Sequence, residues 1–242
     1  MPNPATQLID ANDLVVEASG LVYRVRRGAV RSPLVVMLHG LGGDENVMWT
    51  FGRSLPDRFT VISPRAPIKI EPGTPYADAQ RAEGAYSWLR PAPPLDPDRS
   101  TFAYSLELLK KFIEAAIGVY EVDRHNVIVM GFSQGAAMSY ALSLIEPELI
   151  AGVIALSGFM PEFERPERNA MQSKGTRTPR HGYLIIHGTD DQTVPILYAH
   201  QARDFLRSRG AAVEYHAYPI GHKVSPQGMK DIMHWLNRIS DS

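Results

Sequence analysis

The sequence predicts an α/β sandwich with a mostly parallel central sheet and helices on both faces. Short runs of apolar, β-branched residues alternate with helical patterns from Pro33 to the end of the chain. These runs are continuously apolar, which is typical of parallel strands that are covered by helices on both sides. With 242 residues, 44% of them hydrophobic, the chain is long enough to bury one large core. We therefore predict a single domain over residues 1–242.

Six apolar runs are predicted as strands of the parallel sheet. They are residues 33–40, 59–67, 126–133, 150–158, 183–188 and 213–221. An earlier segment, LVYRVRR at residues 21–27, alternates between apolar and polar side chains. This alternation predicts an antiparallel strand at an edge of the sheet.

Helical patterns occupy the intervals between the strands. Residues 104–120 carry apolar side chains at helical spacing on one side and charged ones largely on the other. Pro195 is predicted to be the first residue of a helix that Gly210 ends. The last helix is predicted over residues 226–239.

Two long segments fit no regular element. Residues 68–100 are rich in proline, and a loop of this length in a compact domain is usually a lid or a binding wall. Residues 164–181 are polar and basic and lack periodicity, which predicts a mobile surface loop.

Charge and cysteine content exclude several classes of function. The 25 basic and 26 acidic residues give a formal charge of −1, so we expect no nucleic-acid partner. The absence of cysteine excludes disulfides, thiolate zinc sites and a cysteine nucleophile. The amino terminus has no signal-peptide pattern, and no apolar run reaches the roughly 18 residues that a transmembrane helix needs. These features predict a cytoplasmic protein without membrane insertion.

The segment Gly-Phe-Ser-Gln-Gly, residues 131–135, lies where a predicted strand becomes a helix. A nucleophile elbow requires this setting, with Ser133 in a strained backbone and two glycines that approach each other closely. The following helix would direct its N–H groups and the positive end of its dipole at the site. The alternative interpretation is an ordinary strand–helix turn in which Ser133 caps the helix.

A serine nucleophile needs a base and a group that orients the base. Of the eight histidines, His222 lies between the last strand and the last helix, where the carboxyl ends of parallel strands collect functional groups. Asp190 and Asp191 follow an earlier strand at the same rim, and the residues by themselves leave open which of them faces the imidazole. The chain order Ser–Asp–His differs from the orders in chymotrypsin and subtilisin.

A tetrahedral intermediate also needs donors for its oxyanion. The segment LHGLGGDE, residues 38–45, leaves the first buried strand as a glycine-rich turn that lets backbone N–H groups approach a carbonyl. We assign the oxyanion hole to the N–H groups of Leu41 and Gln134. The alternative is a glycine-rich turn without catalytic function.

Taken in order, the motifs LHGLGGDE, ISPRAP, GFSQGAAM, LSGFMP, HGTDDQTVP and GH resemble those of the phospholipase/carboxylesterase family. That family includes the acyl-protein thioesterases and many bacterial esterases, and the resemblance spans residues 33–239. It implies an α/β-hydrolase fold that needs neither a cofactor nor a metal. The family pattern His-Gly-x-x-Asp-x-x-Val-Pro places the triad acid on Asp191. The nucleophile then falls on Ser133, the base on His222, and the oxyanion amides on Leu41 and Gln134.

The resemblance also implies substrate-binding residues. Trp88 corresponds to the aromatic wall of the family's acyl site, and Met160 and Val194 are further candidates within the quoted motifs. The chain departs from the family at Leu89-Arg90, where relatives often carry Phe-Asp. It departs again at Arg65, where relatives often carry histidine.

These observations predict a serine carboxylesterase that hydrolyses esters of short- to medium-chain acids through an acyl-enzyme. An acyl-protein or acyl-CoA thioesterase and a lysophospholipase are alternatives, because the same triad serves all of them. A dienelactone-hydrolase-like enzyme is disfavoured, since the chain has no cysteine nucleophile. The non-enzyme alternative is a catalytically dead binding module. We expect a small-molecule ester as the partner, and the resemblance implies a monomer or a homodimer.

Overall fold

The computed structural model describes residues 6–10, 13–71, 84–90, 99–161, 169, 172 and 177–240, with the backbone alone for residues 99, 100 and 240. The chain divides into two compact units, residues 1–123 and 124–242. Each unit combines strands with helices, and the predicted α/β class is confirmed. The single domain over residues 1–242 stays a prediction.

The described part of the first unit contains four strands of one sheet, in the spatial order β1-β2-β4-β3. They are β1 (Gln7–Ile9), β2 (Tyr23–Arg26), β3 (Leu34–Leu38) and β4 (Thr60–Pro64). β3 pairs with β4 in parallel, and the side chains of both strands are buried throughout. Two further strands, β5 (Ile68–Ile70) and β6 (Ala85–Ser87), form a separate antiparallel pair.

The prediction for residues 21–27 is confirmed in one respect and wrong in another. β2 is antiparallel to β4, as expected. It is not an edge strand, because β1 pairs with its other side, with Leu8 opposite Arg24. β1 has three residues, which is too short for an alternating pattern to be recognised in the sequence.

The first unit also contains helices α1 (Leu14–Ser19), α2 (Trp49–Gly52) and α3 (Arg99–Val119). α1 begins at the cap Asp13, whose carboxylate accepts the N–H of Val15, and ends at Gly20 in the left-handed conformation. α3 packs against α1 and starts five residues before the predicted position. Its first turn, Arg-Ser-Thr-Phe, lacks the apolar spacing on which the prediction relied.

The second unit contains four parallel strands in the order β7-β8-β9-β10. They are β7 (Val127–Phe132), β8 (Gly152–Leu156), β9 (Tyr183–Gly188) and β10 (Val213–Tyr218). Because all four run in the same direction, their carboxyl ends lie at one edge of the sheet. β10 is partly exposed along its length, so for this strand the expectation of full burial is wrong.

Among the helices whose bounds lie within the described residues, α4 (Gln134–Ile145), α5 (Leu197–Ser208) and α6 (Pro226–Ser240) connect or follow these strands. α5 begins two residues after Pro195, whose carbonyl accepts the N–H of Tyr198 in the preceding turn. Gly210 follows the helix with a φ of +79°, as expected of a glycine that ends a helix. None of the helices within the described ranges is both long and apolar enough to cross a membrane.

The two irregular segments are only partly described. Of residues 68–100, β5, β6 and residues 88–90 are seen, whereas residues 72–83 and 91–98 of the predicted lid lie outside the described residues. Of the predicted mobile loop at residues 164–181, the structure describes only residues 169, 172 and 177–181.

Candidate active site

Ser133 lies between the end of β7 and the start of α4 in an unusual backbone conformation. Its φ is +54° and its ψ is −116°, a region that residues with a side chain rarely occupy. The N–H of Ser133 donates to the carbonyl of Leu156, 2.9 Å away at the end of β8, and its own carbonyl accepts the N–H of Ala136 at 3.0 Å. Bonds on both sides thus hold a strained residue in place, as a nucleophile elbow requires.

The two glycines of the motif are in close contact, as the sequence predicts. A Cβ added to Gly131 would lie 2.2 Å from the backbone carbon and oxygen of Gly135, so no side chain fits there. Gly158, after β8, is equally restricted, since its Cβ would lie 2.3 Å from Cβ of Ala136 and 3.2 Å from the carbonyl oxygen of Ser133. The lack of side chains at Gly131 and Gly158 therefore allows the backbone to pack tightly around the elbow.

The alternative interpretation of Ser133 as a helix cap is not supported by its side chain. Ser133 occupies the cap position of α4, but its hydroxyl makes no capping hydrogen bond. The residue is partly exposed. The hydroxyl therefore does not cap the helix, and the role of Ser133 as a nucleophile stays a prediction.

Asp191 lies in the loop after β9 and is buried, with 4% of its surface exposed. Its Oδ1 accepts the N–H groups of Thr193 at 2.9 Å and Val194 at 2.8 Å, and its Oδ2 faces Nδ1 of His222 at 2.7 Å. Burial by itself raises the pKa of Asp191, but the hydrogen bonds from Val194 and His222 outweigh it and hold the pKa below its ordinary value. Asp191 is therefore a fixed carboxylate.

Asp190 has a different environment from its neighbour. It is exposed, and its carboxylate accepts a hydrogen bond from the hydroxyl of Thr189 at 3.0 Å. The sequence left open which aspartate faces the imidazole, and the structure pairs His222 with Asp191.

His222 lies between β10 and α6 and is partly exposed. Because Nδ1 donates to Asp191, the neutral imidazole carries its proton there, and Nε2 has a lone pair. The ring packs on the ring of Phe132, the residue before Ser133, with 4.8 Å between the centroids. The imidazole therefore lies next to the elbow, although none of the described hydrogen bonds joins it to the Ser133 hydroxyl.

His187, which the sequence analysis did not select, is part of the same arrangement. Its buried Nε2 donates to the carbonyl of Val194 at 2.7 Å and lies 3.5 Å from Oδ2 of Asp191. Val194 thus binds Asp191 through its N–H and His187 through its carbonyl. Burial lowers the pKa of His187, even though the Val194 carbonyl and Asp191 both favour its protonated form. The available signal was the position of His187 before Gly188 at the end of a predicted strand, in the same His-Gly-x-x-Asp pattern that places Asp191.

We expect His187 to make the stability of the protein fall in mild acid. Its pKa in the folded state lies below the ordinary 6.5. As the pH falls through 6.5, His187 of the unfolded chain therefore binds a proton, whereas His187 of the folded protein stays neutral until a lower pH. Between the two pKa values the free energy of unfolding should therefore decrease with falling pH, by up to about 1.4 kcal/mol per pH unit for one proton. Urea denaturation between pH 7 and 5 measures this slope.

His187→Gln is the comparison variant, because glutamine keeps a donor for the Val194 carbonyl but does not titrate. Its stability should depend less steeply on pH than that of the wild type, even though His181 also has a pKa lowered by burial and contributes in both proteins. Equal slopes for the two proteins would contradict this account.

The glycine-rich loop of the first unit is held by several hydrogen bonds. The N–H of Gly42 donates to the carbonyl of Tyr86 at 2.9 Å, and the N–H of Gly43 donates to the carbonyl of Gly40 at 3.1 Å. Leu41 is 40% exposed. Leu41 lies in the first unit and Gln134 in the second, and the oxyanion hole formed by their N–H groups stays a prediction.

Trp88 is fully buried, with 0% of its surface exposed. Its Nε1 donates to the carbonyl of His39 at 2.9 Å, and the two rings lie 5.3 Å apart. His39 in turn accepts the N–H of Ala66 at Nε2, so its Nδ1 carries the proton and donates to the Gly40 carbonyl at 2.7 Å. The indole therefore supports the loop from the core, and its contact with substrate stays a prediction.

The other two substrate-binding candidates lie on loops of the second unit. Met160 is partly exposed four residues after β8, and Val194 is buried with its backbone bonded to Asp191 and His187. Their contact with substrate also stays a prediction. The described residues include no group of three or more histidine, cysteine, aspartate or glutamate side chains that could hold a metal ion.

Comparison with known proteins gives consistent matches. The model of a family described as phospholipase/carboxylesterase matches residues 25–240. Acyl-protein thioesterase 1 of Debaryomyces hansenii is 29% identical over 234 residues, which cover 91% of this chain and 98% of the relative. Carboxylesterase SOBER1 of Arabidopsis thaliana is 35% identical over 114 residues, covering 47% of this chain and 48% of the relative. The solved Bacillus cereus carboxylesterase aligns with a TM-score of 0.74 at 18% identity, covering 92% of this chain and 96% of that one.

Proposed function

Since the chain belongs to the phospholipase/carboxylesterase family of α/β-hydrolases, we propose that it is a serine carboxylesterase that acts on small esters of short- to medium-chain acids. The family consists of hydrolases, which fixes the reaction class. The substrate and the residues that act on it are proposed from the site.

In the proposed first step, Oγ of Ser133 attacks the ester carbonyl while Nε2 of His222 accepts its proton. Asp191 stabilises the imidazolium, and its hydrogen bond to Nδ1 keeps Nε2 available as the base. The N–H groups of Leu41 and Gln134 would stabilise the oxyanion of the tetrahedral intermediate. His222 then gives its proton to the leaving alcohol as the ester bond breaks, and the acyl group remains on Ser133.

Water completes the cycle. His222 accepts a proton from the attacking water, the hydroxide adds to the acyl-enzyme, and the second tetrahedral intermediate collapses to the free acid. The proton on His222 returns to Oγ of Ser133 as the acyl–oxygen bond breaks. Both half-reactions use the same base and the same oxyanion donors.

The observation that carries this proposal is the combination of a strained Ser133 with an Asp191–His222 pair in the same unit. The His222 ring packs against the residue that precedes Ser133, and Asp191 is buried and ionised at a distance of 2.7 Å from that ring. A binding module would have no need for a strained serine, for a histidine held in one tautomer, or for a buried carboxylate that orients it.

Covalent labelling tests the proposal against a catalytically dead binding module. A fluorophosphonate loses fluoride to a serine activated by a base, and the adduct raises the mass of that residue. We expect stoichiometric labelling on Ser133, located by mass spectrometry of peptides, and no labelling of a Ser133→Ala variant. An unlabelled wild type, or a label on another serine, would refute the assignment.

Thioester cleavage is the second candidate function, because a protein named acyl-protein thioesterase 1 aligns with this chain over 91% of its length. The acyl-enzyme step is common to esters and thioesters, so the triad is compatible with both. A lysophospholipase activity would use the same step.

A substrate panel separates the candidates. We expect kcat/KM to be higher for oxygen esters than for thioesters of the same acid, and to fall as the acyl chain grows from butyryl to palmitoyl. Initial rates for matched nitrophenyl esters and acyl-thiol substrates measure both trends. A preference for long-chain thioesters would replace the carboxylesterase proposal with the thioesterase one while keeping the triad.

A further inference from the structure

We propose that Arg65 is a positioning residue for the oxyanion loop, defined as residues 38–45, and that it acts through Glu45 and Tyr86. This inference rests on the proposed function, since the loop carries the Leu41 amide that would bind the oxyanion. Arg65 directly follows Pro64, the last residue of β4.

Arg65 forms a bidentate ion pair with Glu45, the last residue of the loop. Its Nε lies 2.6 Å from Oε2 of Glu45, and its Nη2 lies 2.7 Å from Oε1 of the same carboxylate. Glu45 is 2% exposed, so its charge has little contact with water. Burial by itself raises the pKa of Glu45, but the hydrogen bonds from Arg65, a backbone hydrogen bond and the charge of Arg65 together hold that pKa below its usual range. Without Arg65, the carboxylate would be buried without its counter-charge, and the loop would have to shift to hydrate it.

The same guanidinium also contacts the strand that pairs with the middle of the loop. It lies over the ring of Tyr86, 4.8 Å from the centroid, with Nη1 at 3.4 Å from the hydroxyl. The backbone of Tyr86 accepts the N–H of Gly42 at 2.9 Å and donates its own N–H to the carbonyl of Gly43 at 3.0 Å. One side chain therefore joins the end of the oxyanion loop to the strand that holds its centre.

The backbone of Arg65 is itself fixed, because its N–H donates to the carbonyl of Val22 at 2.8 Å. The two N–H groups of a histidine at this position would point in different directions, so only one of them could bind the carboxylate. The guanidinium of arginine donates two parallel N–H groups to it. The N–H groups of Gly42 and Gly43 are both used inside this framework, and they are the neighbours of the Leu41 N–H to which the oxyanion is assigned. A shift of about 1 Å in such a donor can cost about 100-fold in rate.

Arg65→Met tests the inference, with Arg27→Met as the matched control. Arg27 resembles Arg65 in that its guanidinium lies over a tyrosine ring, 4.9 Å from the centroid of Tyr120. The two arginines lie near opposite ends of β4, because Arg27 follows β2 beside the beginning of β4, whereas Arg65 follows its end. The measurements are kcat and KM for a nitrophenyl ester and the affinity of a trifluoromethyl ketone. That ketone accepts Oγ of Ser133 at its carbonyl carbon and places an oxyanion in the hole.

For Arg65→Met we expect kcat to fall by about 10- to 100-fold with KM changed by less than about twofold, and the ketone affinity to fall in parallel with kcat. Arg27→Met should retain all three wild-type values. A folded Arg65→Met protein with wild-type kcat would overturn the inference, as would an equal loss in Arg27→Met or a change confined to KM.

Arg65→Lys covers the case in which Arg65→Met does not fold. Lysine keeps a charge beside Glu45 but loses the fork, so we expect a folded protein with an intermediate kcat. Wild-type kcat in this variant would overturn the inference as well. The wild type serves as the test of the proposed function itself: if it shows no turnover that depends on Ser133, the esterase proposal fails independently of Arg65.

Discussion

Replacement of Ser133 by alanine is expected to abolish the hydrolysis of an activated ester such as a nitrophenyl acylate. The loss should be on the order of 10⁴-fold or more in kcat, because the acyl-enzyme cannot form without Oγ. Alanine experiences the same backbone strain as serine at a φ of +54°, and the hydroxyl makes no capping hydrogen bond to α4. The variant should therefore retain the wild-type circular dichroism spectrum and melt within a few degrees of the wild type.

Ser143→Ala is the control for this experiment. Ser143 lies on α4, and its buried hydroxyl is bonded within the fold, to the carbonyl of Tyr140 at 2.8 Å and to the Tyr183 hydroxyl at 3.0 Å. Its removal should cost about 1 kcal/mol of stability and leave kcat within about twofold of the wild type. Undiminished turnover in Ser133→Ala would rule the proposed mechanism out.

Replacement of Asp191 by asparagine is expected to lower kcat by about 10³- to 10⁴-fold. Asparagine can present its NH₂ group to Nδ1 of His222, which then acts as an acceptor and moves the ring proton to Nε2. In this tautomer the imidazole cannot take the proton from Ser133. Initial rates, together with the rate of labelling by a fluorophosphonate, would show the loss of nucleophile activation directly.

The adjacent residue supplies a closely matched control. Asp190→Asn makes the same chemical change one position earlier, at an exposed carboxylate bonded to Thr189. We expect its kcat to stay within about twofold of the wild type. Comparable losses in the two variants would mean that the loop charge matters and that the orientation of His222 by Asp191 does not.

The parallel strands could be predicted because burial on both faces removes polar residues from them and leaves a visible pattern. The elbow was visible for a similar reason, since the close approach of Gly131 and Gly135 excludes side chains and so restricts the residue type. Features that depend on local backbone geometry could therefore be predicted from the sequence alone. β1, a three-residue strand, lacked enough residues for a pattern.

The local sequence pattern could not show whether Asp190 or Asp191 faces the imidazole, because both are carboxylates at the end of the same strand. The choice follows from the turn, in which the N–H groups of Thr193 and Val194 converge on one carboxylate and turn it toward His222. The resemblance to a family supplied the same answer before the geometry did.

Long-range contacts account for the other features that sequence reasoning missed. Arg65 contacts a carboxylate 20 positions earlier in the chain and a ring 21 positions later, and neither distance leaves a periodic signal. The burial of Trp88 was likewise not foreseen: its indole N–H donates to the His39 carbonyl, while its expected place in a wall that faces substrate stays a prediction.

Ser133, Asp191 and His222 all belong to residues 124–242, whereas Leu41, Arg65 and Trp88 belong to residues 1–123. The groups proposed to move protons are thus encoded in one half of the gene, whereas the other half encodes one proposed oxyanion donor, Leu41, its proposed positioning residue, Arg65, and a proposed acyl-site residue, Trp88. Recombination or directed evolution confined to the first half could alter which esters are accepted and leave the acid–base chemistry intact.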